Sequence, residues 1–340
     1  MKIVFFVLII VSFLHSLTVK DMFNREVEIK NNEKIVAKGP GALRLISYMN
    51  MQDKLVGIEK LELDLDIKSP YRATLDKDKI SSLPIIGEGG AGKLPNLEKL
   101  IEISPDIIFT SFLSQDQINL ITQKTKIPVI ALSYGSNYGG ENNLQKLQAI
   151  KDSLQLIGIV MGDITRANLV VDFMSKQEKI LSTLINTNQK CYIGAIGYKG
   201  ARGITSTESH YPSFELLGIN NSIKLSKNGH AQIALEELII DNPDTIFLDL
   251  LGKKIVDDEI KDKSSLYQNL NAVKTNKVFW LYPYNFYNTN IENVYLNSFI
   301  IASHLGADID IEAKKDEIYN IFLGQNSIKF KKHYLPKFEY

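Results

Sequence analysis

One cysteine, one tryptophan and no excess of charge of either sign mark this chain of 340 residues. The lone thiol, Cys191, excludes an internal disulfide and any zinc or cluster site built on several cysteines. Basic and acidic residues balance at 39 each, which leaves no electrostatic footprint for nucleic acid or an anionic membrane. Beyond the first twenty residues no run is apolar and long enough to span a bilayer, so the mature chain is expected to be soluble. Hydrolase and metalloprotease signatures are missing too: there is no G-x-S-x-G and no H-E-x-x-H. Histidines are few, and His15, His304 and His333 fall in the N-terminal apolar run, a helical pattern and the tail. Only His210 and His230 remain in polar loops, too few for a free zinc or manganese site.

What is present begins with Lys2, an apolar run over 3–14, then His15 and Ser16. A positive residue, a short apolar core and a small residue describe a secretory signal peptide over 1–16. Because no cysteine follows, the expectation is export without a lipid anchor.

The rest reads as α/β, with short apolar runs alternating with helical patterns. Strands are predicted at 34–37, 55–58, 106–110 and 127–132, then at 190–197, 244–250 and 277–281. Helices are predicted at 42–49, 96–103 and 115–125, then at 211–217, 233–241 and 291–305. A repeat divides them: 97–109 (LEKLIEISPDIIF) and 235–247 (LEELIIDNPDTIF) agree at eight of thirteen positions, 138 residues apart. Each is a helix ended by Pro-Asp and followed by a strand, so two related lobes are expected. Between them, 163–187 has no Gly or Pro, a capping Asp163 and an apolar stripe at helical spacing. A helix of that length runs roughly 37 Å and would act as a stiff connector. The predicted organisation is a lobe at 17–162, a connecting helix at 163–187, a second lobe at 188–324 and a tail at 325–340.

The segment 87–94 (GEGGAGKL) imitates two nucleotide motifs. Leu94 stands where a P-loop needs Ser or Thr, and Pro95 delays the helix that a dinucleotide fingerprint must enter directly. The glycines are better suited to close backbone approach. Cys191 opens an apolar strand and is expected to be buried and inert.

Candidate binding residues cluster in the loops that follow strands, where ligands sit on an open α/β sheet. Tyr134 and Tyr138 follow the last strand of the first lobe. Tyr198, Arg202, His210, His230, Tyr284 and Tyr287 come from loops of the second. Tyrosine oxygens suit hard ferric iron, imidazole suits nickel, iron or copper, and Arg202 suits an anionic chelator.

The segments 18–59, NLEKLIEISPDIIF, ELLGI, ALEELIIDNPDTIF and EAKKDEIYNIFLG resemble those of iron-complex substrate-binding proteins of ABC importers, over roughly residues 18–324. That family includes ferric-siderophore, haem and vitamin B12 binders, and the resemblance implies two Rossmann-like lobes joined by one long helix. It implies a periplasmic, non-enzymatic, monomeric protein with no intrinsic cofactor. Its cargo would be an iron–siderophore complex or, alternatively, a nickel or cobalt chelate, haem or cobalamin. Its partners would be a transmembrane permease and, through it, an ATPase. Glu98 and Glu236 match the glutamates that dock on the permease, while His230 and Tyr287 lie near positions that complete a metal shell. A metal-dependent enzyme on the same two-lobed scaffold is the reading of a different class.

Overall fold

A computed structural model describes residues 16–63, 69–134, 143–225, 228–262 and 264–328. The signal-peptide stretch, Tyr138 and the tail beyond Ile328 therefore lie outside the described residues. Among those described, no helix is long and apolar enough to cross a membrane.

An antiparallel ribbon of β1 (Leu17–Lys20) and β2 (Glu26–Ile29) precedes the first parallel sheet. That sheet has the order β4-β3-β5-β6, with β3 at Ile35–Lys38, β4 at Leu55–Gly57, β5 at Ile107–Thr110 and β6 at Val129–Ala131. In the second lobe β7 (Cys191–Gly194) is followed by a second antiparallel ribbon, β8 (Ser206–Glu208) with β9 (His230–Gln232). There β10 (Thr245–Asp249) and β11 (Val278–Leu281) complete a parallel sheet of order β11-β10-β7. Every residue of β3, β5 and β10 is buried. Strands covered on both faces read as near-continuous apolar runs, which is why all seven parallel strands were visible in the sequence.

The repeat has a structural purpose. The helices Leu97–Ile103 and Leu235–Asp241 end in left-handed residues, Ser104 and Asn242, and each passes through Pro-Asp into a central strand. Asp106 accepts the Glu33 and Lys34 amides at 3.0 and 2.8 Å, at the start of β3. Asp244 accepts the Lys190 amide at 2.9 Å, at the start of β7. The same carboxylate thus satisfies backbone donors that no strand partner reaches.

The connector is helical over Ile164–Leu181, shorter than the 163–187 suggested by the apolar stripe. Leu184 and Ile185 still pack on the core, but through a turn in which Thr183 N–H bonds the Ile180 carbonyl at 3.3 Å. Apolar spacing cannot tell these two ways of reaching the core apart. Asp163 caps the helix by accepting the Arg166 amide at 2.9 Å, as predicted. The preceding helix, Asn143–Met161, was not assigned from the sequence and packs against the connector. Gly158 permits the close approach: a Cβ there would stand 2.6 Å from that of Ala167.

One apolar cluster runs from Ile35, Ile107 and Phe109, through the connector and the helix Ile291–His304, to Ile193 and Leu281. Smaller clusters cover the opposite face of each sheet. An interface this continuous and apolar ties the lobes into one body and opposes large relative motion.

Candidate functional site

Four of the seven parallel strands end toward the same place. Phe112 lies just past β5, Tyr134 past β6, Tyr198 past β7 and Tyr284 past β11, and all four line a cavity of about 460 Å³ between the lobes. That volume falls in the usual range for small-molecule sites. Lys146, Leu147 and Ile150 of the Asn143–Met161 helix close it on one side, and the β8–β9 ribbon contributes Glu208 and His230. Asn228, Asn285, Asn288 and Thr289 add neutral hydrogen-bonding groups.

The predicted residues take different places. Tyr134 is buried, donates its hydroxyl to the Gly41 carbonyl at 2.7 Å, and has its phenol pushed up to about 12 by burial. Tyr198 is exposed at the mouth and stacks on His230, with ring centroids 4.3 Å apart. His230 Nε2 lies 2.7 Å from Ser206 Oγ. Burial, and secondarily the Arg202 charge, hold the imidazole below its ordinary range, so it is neutral at neutral pH. Arg202 is exposed, donates Nε–H to the Tyr198 carbonyl at 3.0 Å, and does not line the cavity. His210 is also outside the wall, with Nδ1 2.6 Å from Glu215 Oε1 and Nε2 3.2 Å from Asn228 Oδ1. Tyr284 packs edge-on against Tyr211, centroids 5.3 Å apart, and burial first, then Glu208, raise its phenol well above the usual range. Its hydroxyl therefore stays a hydrogen-bond donor.

Tyr287 goes elsewhere. Its hydroxyl donates to Glu59 Oε2 at 2.8 Å and accepts the Gly90 amide at 2.7 Å, inserting a second-lobe residue into the first. The glycine-rich loop makes room: a Cβ on Gly89 would stand 3.0 Å from the Tyr287 oxygen. Close approach of a neighbouring segment accounts for Gly89, whereas Gly87, Gly90 and Gly92 supply positive φ angles of 145°, 113° and 68°. His230 lines the cavity and Tyr287 does not, so the structure does not gather the two into one wall.

Tyr287 belongs to a buried polar seam joining the lobes. Glu59 pairs with Lys38 at 2.8 Å, and Arg72 with Glu62 at 3.0 Å, all four side chains about 1% exposed. Arg44, fully buried, donates to the Phe286 carbonyl at 2.8 Å and to Asn290 Oδ1 at 2.9 Å. Tyr48 donates to Glu292 beside it.

Glu98 and Glu236 do not line the cavity; they sit in the first turns of the two repeat helices, and both are exposed. Cys191 is buried and its thiol is pushed up to about 12, consistent with an inert role. Among the described residues no group of three or more His, Cys, Asp or Glu is placed to hold a metal ion.

Sequence reasoning missed Glu208, Lys146, Phe112 and the asparagines. Glu208 and His230 are cross-strand neighbours in the ribbon, 22 residues apart in the chain. A three-residue ribbon pairing two loops carries too little periodicity to be read in advance.

The family model described as periplasmic binding protein matches residues 67–284. The Fe(3+)-citrate-binding protein YfmC of Bacillus subtilis is 22% identical over 196 residues, covering 56% of this chain and 58% of that protein. An iron-uptake system-binding protein of the same organism is 27% identical over 197 residues, covering 54% of this chain and 57% of that protein. The chain thus spans less than two thirds of the length of these relatives. A periplasmic solute-binding protein of Veillonella parvula superposes with a TM-score of 0.70 at 16% identity, covering 93% of this chain and 96% of that one. The nickel-bound CeuE structure of Helicobacter pylori gives 0.63 at 20% identity, covering 92% and 99%. These likenesses show the fold.

Proposed function

From the premise that the chain belongs to the periplasmic binding protein family, we propose that it is the exported substrate-binding component of an ABC importer for a metal chelate, most simply an iron–siderophore complex. The observation that carries this reading is the interlobe cavity at the carboxyl ends of both parallel sheets, walled by tyrosines, amides and one neutral imidazole. Phenol, amide and imidazole groups hydrogen-bond to the periphery of a chelate without stripping its metal. The iron-binding names of the two Bacillus relatives support the same class.

In this reading the chelate enters between the lobes and rests on Tyr134, Tyr198, His230 and Tyr284, with Arg202 and His210 outside the wall. Closure is small, because the shared core and the polar seam oppose hinge motion. Glu98 and Glu236, equivalent by the repeat and exposed, then dock the loaded protein on arginines of the permease, whose ATPase drives release. Replacing both glutamates by alanine is expected to abolish uptake while chelate affinity stays intact; normal transport would remove the docking role.

A chelate with an open coordination position, such as a nickel or cobalt complex, is a second reading. His230 favours it: Nε2 is turned to Ser206, and among the described residues Nδ1 has no protein hydrogen bond. Calorimetry with ferric hydroxamate, ferric catecholate, ferric citrate, haem, cobalamin and nickel–histidine decides among these. Saturable binding of one member supports the transport reading, and binding of none removes it.

A further inference from the structure

Among the described residues, and apart from the imidazole and the phenols, the cavity wall holds two ionisable groups of opposite sign, Glu208 and Lys146, and the rest of its polar surface is neutral. His230 adds no positive charge at neutral pH. Lys199 and Arg202 stand near the mouth, but both are exposed and screened by solvent. With Glu208 ionised the described wall sums to no net charge, and with it protonated to the single positive charge of Lys146. A trianionic complex seated there would bring three charges against a single lysine already facing a carboxylate.

Glu208 is built to meet something. The β8–β9 pairing fixes it beside His230 at the cavity surface, and Asn221 Nδ2 bonds its own carbonyl at 3.1 Å, holding the strand end in place. Its carboxyl receives the His210 amide and lies near Gly229, whose added Cβ would be 3.9 Å from Oε1. Burial pushes it up to about 7, against the easing charge of Lys146. An arriving ammonium, N–H or O–H group would relieve that desolvation, and an arriving anion would deepen it.

We propose that Glu208, balanced by Lys146, sets the charge class of the cargo: the cavity takes a neutral or monocationic chelate that turns a hydrogen-bond donor toward Glu208, and discriminates against trianionic ferric catecholates. This rests on the chelate-binding reading above and narrows it. Ferric trihydroxamates are the fitting class, because three singly charged hydroxamates neutralise ferric iron.

The test is calorimetry on the full mature chain with three probes. These are ferric desferrioxamine B, a monocation with a pendant ammonium; its N-acetylated neutral form; and ferric enterobactin, a trianion. The expected order is monocation tightest, neutral next and trianion weakest, with at least about a hundredfold between first and last. Glu208→Gln is expected to cut the ratio of monocation to neutral affinity by about tenfold. A carboxylate with a purely structural role would lower both affinities and leave that ratio unmoved, which would overturn the assignment. Wild-type protein preferring the trianion would overturn the charge inference alone and leave chelate transport standing. Binding of none of the three, nor of any other chelate in the earlier panel, would overturn both.

Discussion

The seam and the cavity are built from the same residue types and do opposite things with them. In the seam, each buried carboxylate lies against a cation or a phenol: Glu62 against Arg72 and Tyr71, Glu59 against Lys38 and Tyr287, Glu292 against Tyr48. In the cavity, Glu208, His230, Tyr198 and Tyr284 turn toward open space between the lobes. Tyr284 and Tyr287, three residues apart on one loop, fall on either side of this division. Polar groups satisfied by one another lock a structure, and groups left facing a void are available to a ligand.

The largest test of that division is Arg44→Met. It would remove the Arg44 hydrogen bonds to the Phe286 carbonyl and Asn290 Oδ1, and the cation beside Glu292. Breaking a buried charged group from its partners is expected to cost about 3–5 kcal/mol of stability, read by urea unfolding. A loss under about 1 kcal/mol would show that the seam is not a coupled unit.

Tyr287→Phe sharpens the comparison at one oxygen. Loss of its bonds to Glu59 and Gly90 is expected to cost about 1–3 kcal/mol. Chelate affinity should change less than in Tyr284→Phe. If calorimetry finds affinity falling more for Tyr287→Phe, the phenol reaches the cargo and the division between the two tyrosines fails.

Asp249 carries the comparison into pH dependence. It is fully buried, accepts the Tyr284 and Leu251 amides at 2.7 and 2.8 Å, and is raised by burial from 3.8 to about 7. The folded state then binds its proton more tightly than the unfolded state. Its contribution is full below about 3.8, declines as pH rises toward about 7, and is flat above. Urea midpoints measured between pH 5 and pH 8 should fall with rising pH, and Asp249→Asn should flatten that slope. A slope unchanged by the substitution would assign the effect to other groups.

Much of the frame was legible because burial on both faces writes itself into strands as apolar runs. The Pro-Asp repeat was legible because the same capping problem, a start-of-strand amide in need of an acceptor, recurs in each lobe. The helix Asn143–Met161 and the connector's end at Leu181 were not. In both, apolar spacing reports contact with the core rather than the backbone conformation that achieves it.

The candidate site divided along the same line. Tyr134, Tyr198 and Tyr284 could be named in advance, since residues just past parallel strands converge at one edge whatever the loops do. Sequence alone determined the two lobes, their related helix–strand units and the edge where residues past the strands line the cavity. Tertiary structure alone decided that Tyr287 fastens the lobes while Tyr284 faces the cavity, and that Glu208 stands beside His230. Local patterning sets which face of an element is apolar; the partner of a single polar side chain depends on segments tens to hundreds of residues away, whose approach no local pattern encodes.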